Sequence, residues 1–396
     1  MNLSEFSNCH KLREILLNKI NSSSSQRITF AQYMATVLYE QDFGYYNSGI
    51  VPIGSGGDFF TSASLGQDFG ELIATQLREM WHKLGCPNPF AVVEMGAGNG
   101  ELAQDIVRFF LNSNEQALIE AISYTIIEQS PTLIKQQQKL LKSCTELSVT
   151  WKDLEDIPEN SIEGCIFSNE LVDAFPVHLI TKQDNQLQEV YLTIKDDQLA
   201  ETIDELSTAK LTQYFNLVGI DLLQPQYIDG YRSEVNLQAL DWIKAIASKI
   251  KQGYLLTIDY GYTAERYYRA NRSQGTLKCY YQHRHHHNPY VNLGYQDLTA
   301  HIDFTALQRQ GELSNLQTIG FTQQGLFLMA LGLGDRLNEL SSGKYNISEI
   351  FKRRDALHQL IEPTGLGGFG VLIQGKNLTV SQKSLQGLTV PNGLLF

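Results

Sequence analysis

The chain has 396 residues, 42% of them hydrophobic, which is enough for a large α/β domain with a full core and argues against disorder. Asp and Glu outnumber Lys and Arg 43 to 31, so the net charge of −12 gives no global attraction for nucleic acid and favours a cationic partner. No apolar run is long enough to span a bilayer, and the five cysteines are scattered without a C-x-x-C pair, which excludes a sequence-evident zinc site.

Residues 1–27 have no apolar signal core, and Glu5 and Glu14 interrupt any transit-peptide pattern, so the expected compartment is the cytoplasm. The region up to about Leu84 reads as a helical N-terminal cap, residues 1–84. Thr29 and Gln32 make a capping box ahead of Phe30, Tyr33, Met34, Val37 and Leu38 at helical spacing. Residues 43–58 are too glycine-rich for regular structure, and a second helix is expected from Gly66 to Leu84. From Phe90 onward, short apolar runs alternate with amphipathic stretches: Ala91–Glu94, Tyr124–Glu128, Ser148–Trp151, Cys165–Ser168 and Tyr254–Asp259. That is the pattern of a Rossmann-like parallel sheet with helices on both faces, here residues 85–396. Asn236 is placed to cap the helix before the fifth run, with Gly253 just past its end. Insertions fall at about 177–235, including a hairpin of Val177–Thr181 and Glu189–Ile194, and at about 262–302, rich in Tyr, Arg and His. Closing strands are expected near Phe321–Met329 and Gly370–Gln374.

The glycine segment after the first run carries the most information. In Glu94-x-Gly96-x-Gly98-x-Gly100 three glycines allow positive φ and close approach to a ligand, at the start of a helix with free N–H donors. A dinucleotide fingerprint would need its third glycine at 101, where this chain has Glu101, unwelcome beside a pyrophosphate. An acid is tolerable beside the zwitterionic end of S-adenosylmethionine, whose ammonium Glu94 can accept from directly or through water. Glu128 ends the second run, where a carboxylate holds ribose hydroxyls. Asp153 and Leu154 follow the third run and suit the adenine amino group and ring. The fourth run ends in Asn169-Glu170 and Asp173, facing the transferred methyl.

The chain resembles the family of class I methyltransferases that includes the mitochondrial complex I assembly factor methylating an arginine of a core subunit, together with its bacterial relatives. Beyond Glu94–Gly100, the resemblance rests on Tyr33-Met34, Phe43-Gly44-Tyr45-Tyr46, Gly57-Asp58-Phe59-Phe60-Thr61-Ser62 and Phe69–Ile73. It continues in Asn169-Glu170, Asp173–His178, Asp259-Tyr260-Gly261, Asp297–Phe304 and Gly325–Leu328. It implies a helical cap on a Rossmann-like methyltransferase core, S-adenosylmethionine as cofactor and protein arginine as acceptor, with Gly57–Ser62 closing over the cofactor and Thr61 contacting it. Two departures stand out. Ala63-Ser64 replace the family's usual Pro-Glu, removing a carboxylate near the cofactor, and Asn288-Pro289 replace Asp-Pro.

Methyl transfer from a sulfonium needs alignment and exclusion of water. A guanidinium is charged at any ordinary pH, and carboxylates can grip its N–H groups. Glu170 and Asp173 are the candidates, with Asp259 a weaker one; Asp173 also suits a helix cap. His283–His287 is too crowded for a metal site and reads as a polar lid or peptide groove. A small-molecule methyltransferase, a non-catalytic assembly partner that binds the cofactor for stability, and a dehydrogenase are the competing readings; a homodimer is left open.

Overall fold

A computed structural model describes residues 3–49, 61–142, 144, 146–282 and 284–389. The chain opens with two helices, α1 (Leu3–Ser22) and α2 (Phe30–Tyr39), separated by a two-residue strand, Ile28–Thr29. The Thr29 hydroxyl accepts from the Gln32 N–H while the Gln32 side chain accepts from the Thr29 N–H, so the capping box forms as expected. Helix α3 (Gln67–Lys83) follows, close to the expected bounds.

Seven strands then make the main sheet: β1 (Phe90–Met95), β2 (Ile122–Ile127), β3 (Val149–Lys152), β4 (Ile162–Asn169), β5 (Ile250–Asp259), β6 (Gln317–Gln323) and β7 (Gly370–Lys376). Their order is β6-β7-β5-β4-β1-β2-β3. The pairs from β5 to β3 are parallel, while β7 runs antiparallel to both β5 and β6. Parallel strands need crossovers, and helices α4 (Glu101–Leu111), α5 (Pro131–Leu141) and α6 (Leu237–Lys249) supply them. One face packs Phe69, Leu72, Ile73 and Leu77 of α3 with Ile106 and Phe110 of α4; the other packs Ile243 and Ile246 of α6 with Ile166 and Leu255.

The structure divides the expected 1–84 cap. Helix α3 packs into the main sheet's core, because its apolar side points there. Helices α1 and α2 instead share a core with the inserted hairpin, now His178–Gln183 and Gln186–Lys195. Strand Ile28–Thr29 pairs with the second arm of that hairpin, and Gln198–Asp204 and Arg232–Val235 complete a five-stranded sheet. The stretch 262–302, read as lacking a period, contains a three-stranded sheet of Lys278–Tyr281, Arg284–His286 and Asp297–Thr299.

Two expectations are corrected. The strand placed near Phe321–Met329 ends at Gln323, and Gln324–Ala330 is helical, α7. Phe327 and Leu328 are buried while Leu326 is exposed, a one-sided pattern that a helix satisfies. Gly253 is not the terminator of α6, which ends at Lys249, with Asn236 capping its start through the Ala239 N–H. Gly253 lies inside β5, where an added Cβ would stand 2.0 Å from the Gly164 carbonyl oxygen of β4. The C-terminal part adds helices α8 (Leu333–Glu339) and α9 (Ile347–Ile361) before β7. No described helix is long and apolar enough to cross a membrane.

Candidate functional site

The site lies at the carboxyl ends of β1, β2, β4 and β5. β1 runs into the glycine turn, and Gly96, Gly98 and Gly100 all take the left-handed conformation, at φ of +69°, +53° and +90°. The alternation folds the chain tightly enough for Glu101 to begin α4 at once. Gly96 N–H donates to the Ile127 carbonyl of β2 at 3.0 Å, fixing the turn to the neighbouring strand.

The side chains expected around a cofactor gather at these strand ends with different exposures. Glu94 is buried and accepts from the Tyr124 hydroxyl at 2.6 Å; burial pushes its pKa up to about 7, against the Tyr124 bond and helped by Glu128. Glu128 is half-buried, its Oε1 accepting from the Ser130 N–H at 3.0 Å and its Oε2 from the Gln137 amide at 3.2 Å. Asp153 is exposed and Leu154 half-buried, just past β3. Thr61 caps a short 3₁₀ turn, Ser62–Leu65, in a capping box closed by Ser64. Ser64 thus closes the box from the N3 position at which the family's usual pattern has Glu. The remainder of the segment 57–62, apart from Thr61 and Ser62, lies outside the described residues.

Sequence reasoning missed the brace of this region. Gln137, fully buried on α5, donates to the Gly98 carbonyl at 2.8 Å and to Glu128, and its oxygen accepts from the Trp151 indole at 2.8 Å. One side chain thereby joins the ends of β1, β2 and β3. It is hidden in the polar run Lys135–Gln138, which looks like a solvated helix face.

Glu170 and Asp173 line a cleft of about 830 Å³. Glu170 follows β4 and is left-handed at φ +51°, its N–H tied to the Ile258 carbonyl of β5 at 2.9 Å. Such a backbone is costly for a residue with a Cβ and marks a site where position matters. Both hydrogen bonds to its carboxylate fall on Oε1, from the Ser62 N–H at 3.0 Å and the Asn169 amide at 3.1 Å. Among the described residues Oε2 takes no hydrogen bond. Burial is the main cause raising the Glu170 pKa to about 8, with the Ser62 bond opposing and the Asp173 charge adding to it. Asp173, on the turn Val172–Ala174, is buried and caps no helix; burial raises its pKa to about 6, against the pull of Tyr260. Asp259 is a structural brace: its Oδ2 accepts from the Val172 and Asp173 N–H groups at 2.9 and 3.2 Å, and its Oδ1 from the Tyr260 N–H.

The rest of the cleft comes from segments without regular period. Tyr46 donates to Asp297 Oδ1 at 2.9 Å, and both line the cleft. Tyr260, Tyr280, Thr299 and His301 stand beside them, with Thr364–Leu366 and Gly368–Gly370 opposite in sequence. The His301 ring packs edge-on to Tyr260 at 4.9 Å and tilted against Tyr262 at 5.0 Å. Burial, then the Lys278 and Arg272 charges, depresses its pKa to about 3, so it is neutral. Of the His283–His287 run, His283 lies outside the described residues, and Arg284–His286 form an edge strand paired with Lys278–Tyr281. Among the described residues no cluster of His, Cys, Asp or Glu suits a metal ion.

The fold and the glycine turn define a nucleoside-cofactor protein, with a cleft of mixed charge next to the cofactor end of the sheet. Comparison with known proteins names the cofactor. The model of the S-adenosyl-L-methionine-dependent methyltransferase family matches residues 72–322, and the chain belongs to that family. Protein arginine methyltransferase NDUFAF7 homolog, mitochondrial, of Drosophila melanogaster is 30% identical over 80% of this chain and 74% of that protein. Its Mus musculus counterpart is 29% identical over 82% of this chain and 75% of that protein. A crystal structure of a Burkholderia thailandensis superfamily member bound to S-adenosyl-homocysteine superposes with a TM-score of 0.85, at 28% identity, covering 98% of this chain and 96% of that one.

The residues present fit S-adenosylmethionine. The left-handed turn opens backbone N–H groups beside the strand end, Glu128 stands at the end of β2, and the buried Asn169 Oδ1 at the end of β4 has no hydrogen-bond partner. That orphan acceptor is available to a ligand.

Proposed function

We propose that this methyltransferase modifies arginine in a protein, a respiratory-complex-type subunit or its bacterial counterpart. The observation that carries the reading is the convergence of Glu170, Asp173 and Asp297 on one half-open cleft, with Glu170 Oε2 taking no hydrogen bond among the described residues. Such a set of carboxylates suits a charged, planar, multi-donor guanidinium. The names of the relatives support it.

Glu94, the Gly96–Gly100 turn and Thr61 hold the amino-acid end of the cofactor, Glu128 the ribose, Asp153 and Leu154 the adenine, and Asn169 the region near sulfur. Bound S-adenosylmethionine supplies a methyl group activated by its sulfonium. Glu170 Oε2 accepts from the guanidinium, drawing charge away from the attacking nitrogen and fixing it in line. Burial alone would keep Glu170 protonated at neutral pH, and the bound guanidinium holds it ionised; as the new N–C bond forms and the C–S bond breaks, the nitrogen's surplus proton passes to that carboxylate. Asp173 holds the second guanidinium edge.

The test is Glu170→Gln, assayed with methyl-labelled cofactor on lysate from a strain lacking the protein and on arginine peptides. Methyl transfer is expected to fall by roughly a hundredfold or more, the scale of losing one positioned acid–base group, with S-adenosylhomocysteine affinity retained. Full activity in this variant would remove Glu170 from the acceptor site.

A further inference from the structure

The cleft separates its charges by depth. Its carboxylates, Asp173 and Asp297, are buried and Glu170 is half-buried, whereas Arg266 and Arg284 at the same cleft are exposed and Lys278 is half-buried. None of these three cations has a carboxylate partner among the described residues, in a chain with 43 acidic side chains to 31 basic ones. The arrangement is also stiff. The guanidinium groups of Arg266 and Arg272 lie over the Tyr262 ring at 4.6 and 4.3 Å, and Arg272 donates to the Tyr267 carbonyl at 3.0 Å.

A second cavity of about 760 Å³ lies behind this wall and shares Tyr262, Lys278 and His301 with the cleft. Its acids are already used. Glu201 takes both terminal nitrogens of Arg232, and Glu234 accepts from the N–H groups of Thr276 and Leu277 and from the Thr276 and Tyr267 hydroxyls. Among the described residues, Arg272 and Lys278 are the lining cations left without a carboxylate partner, Arg272 donating only to carbonyls. His301, which lines both cavities, has a buried Nδ1 with no hydrogen-bond partner. Cations with no carboxylate partner among the described residues, two of them held over the Tyr262 ring, form an anion-binding wall.

We propose that the Tyr262 wall, with Arg266 and Lys278 as its principal cations, binds an acidic side chain of the acceptor protein that flanks the methylated arginine. The acceptor segment is then a local dipole, with its guanidinium on Glu170 and Asp173 and its carboxylate on Lys278 and Arg266. This rests on the arginine reading above.

The test uses arginine peptides in which a single Glu is moved position by position on either side of the arginine, each paired with its Gln counterpart. Dissociation constants are measured on the full chain with S-adenosylhomocysteine present, alongside kcat/KM with the methyl donor. At the favoured position Glu is expected to improve binding and kcat/KM by roughly threefold to tenfold over Gln, the range of partly exposed to better-shielded charge pairs. The advantage should shrink as salt rises. It should approach unity in the Lys278→Gln, Arg266→Gln double variant and invert in favour of Lys-flanked peptides in Lys278→Glu. Cofactor-induced thermal stabilisation checks that each variant is folded. Equal affinity for Glu and Gln peptides at every position, or a preference that survives the double variant, overturns the subsite. Methylation of arginine without a flank preference would overturn the subsite and leave the arginine reading standing. A flank preference in binding, lost in the double variant but with no methyl transferred to any arginine peptide, would support the subsite and sink the arginine reading.

Discussion

Glu94 is placed against its own chemistry. It stands at the end of β1 beside the cofactor turn, yet it is buried, and burial holds its pKa near 7. A carboxyl in that state gains most from a nearby cation, which restores its charge. With Glu94 assigned to the cofactor's ammonium group, binding takes up the deprotonated form. Affinity for S-adenosylhomocysteine should therefore tighten as pH rises toward about 7, by at most about tenfold per pH unit, and level off above it. Titration calorimetry across that window measures it. Glu94→Gln should bind more weakly and lose the slope; a slope that persists in the variant would assign it elsewhere. Glu94, Glu128, Glu170 and Asp173 were legible as candidates because strand-end acids in a doubly wound sheet face the ligand. Their partners were not. Ser62 reaches Glu170 from 108 residues away along the chain and Gln137 reaches Glu128 from 9, while Asp297 enters the cleft through Tyr46, 251 residues away, and no local pattern announces such pairs.

Among the elements, the strand–turn–helix unit of β1 and α4 was the most readable, since a period-two run, alternate glycines and a 3.6-residue period meet within a few positions. The turn also shows why those glycines are needed. At Gly96 an added Cβ would stand 2.6 Å from the Leu171 Cδ1 atom, at a φ of +69°. Leu171 can yield, so Gly96→Ala should cost only about 1–2 kcal/mol, mostly from the left-handed backbone. Its displacement would be passed to Glu170, the adjacent residue, and to the turn itself. The expected outcome is a folded protein whose S-adenosylhomocysteine affinity falls clearly more than its stability, read by titration and thermal melting together. Unchanged affinity would mean that the turn does not approach the ligand. The elements that stayed illegible are those of the cleft: within 260–301, Cys279, Leu293 and Leu298 pack in the core that α1 and α2 share with the hairpin, and Ala264, Tyr267 and Tyr268 pack with Tyr214 and Tyr231, all partners distant in the chain. In Gln317–Ala330, apolar residues fit a strand and a helix equally well until burial decides between them.

At the scale of the molecule, chain-distant parts are joined by a few polar clasps. Asp68 at the start of α3 accepts from Arg336 of α8 at 2.9 Å and from Arg353 of α9 through two nitrogens, each at 2.7 Å. Burial pushes the Asp68 pKa up, but Arg353 first and Arg336 second bring it net below the usual range. Its stabilisation is accordingly present above the unfolded carboxyl's pKa and lost as pH falls through the lower folded value. Asp68→Asn should lower stability by about 1–2 kcal/mol, since two largely buried guanidinium groups lose a shared carboxylate while Arg336 keeps Glu71 and Arg353 keeps Glu339 at 3.8 Å. The loss should narrow in acid, where the wild-type carboxylate is itself being protonated. Denaturant melts at neutral and acidic pH measure both, and an equal loss at both would show that the charge is not what matters. Ser62 is a second clasp, donating its N–H to Glu170 and its hydroxyl to Gln324, whose amide reaches the Leu360 carbonyl.

The antiparallel β7 has a temporal meaning. It sits between β5 and β6 and exchanges backbone hydrogen bonds with both, yet it is the last strand of the sheet to leave the ribosome. The β1–β5 half can pair as soon as residue 259 has emerged, carrying the glycine turn, Glu128 and Glu170 with it. β6 must wait, its edge unpaired, until residue 376 arrives. The strand ends that carry the glycine turn and Glu170 can therefore assemble ahead of the part of the cleft at Gly368–Gly370, which leads into that final strand.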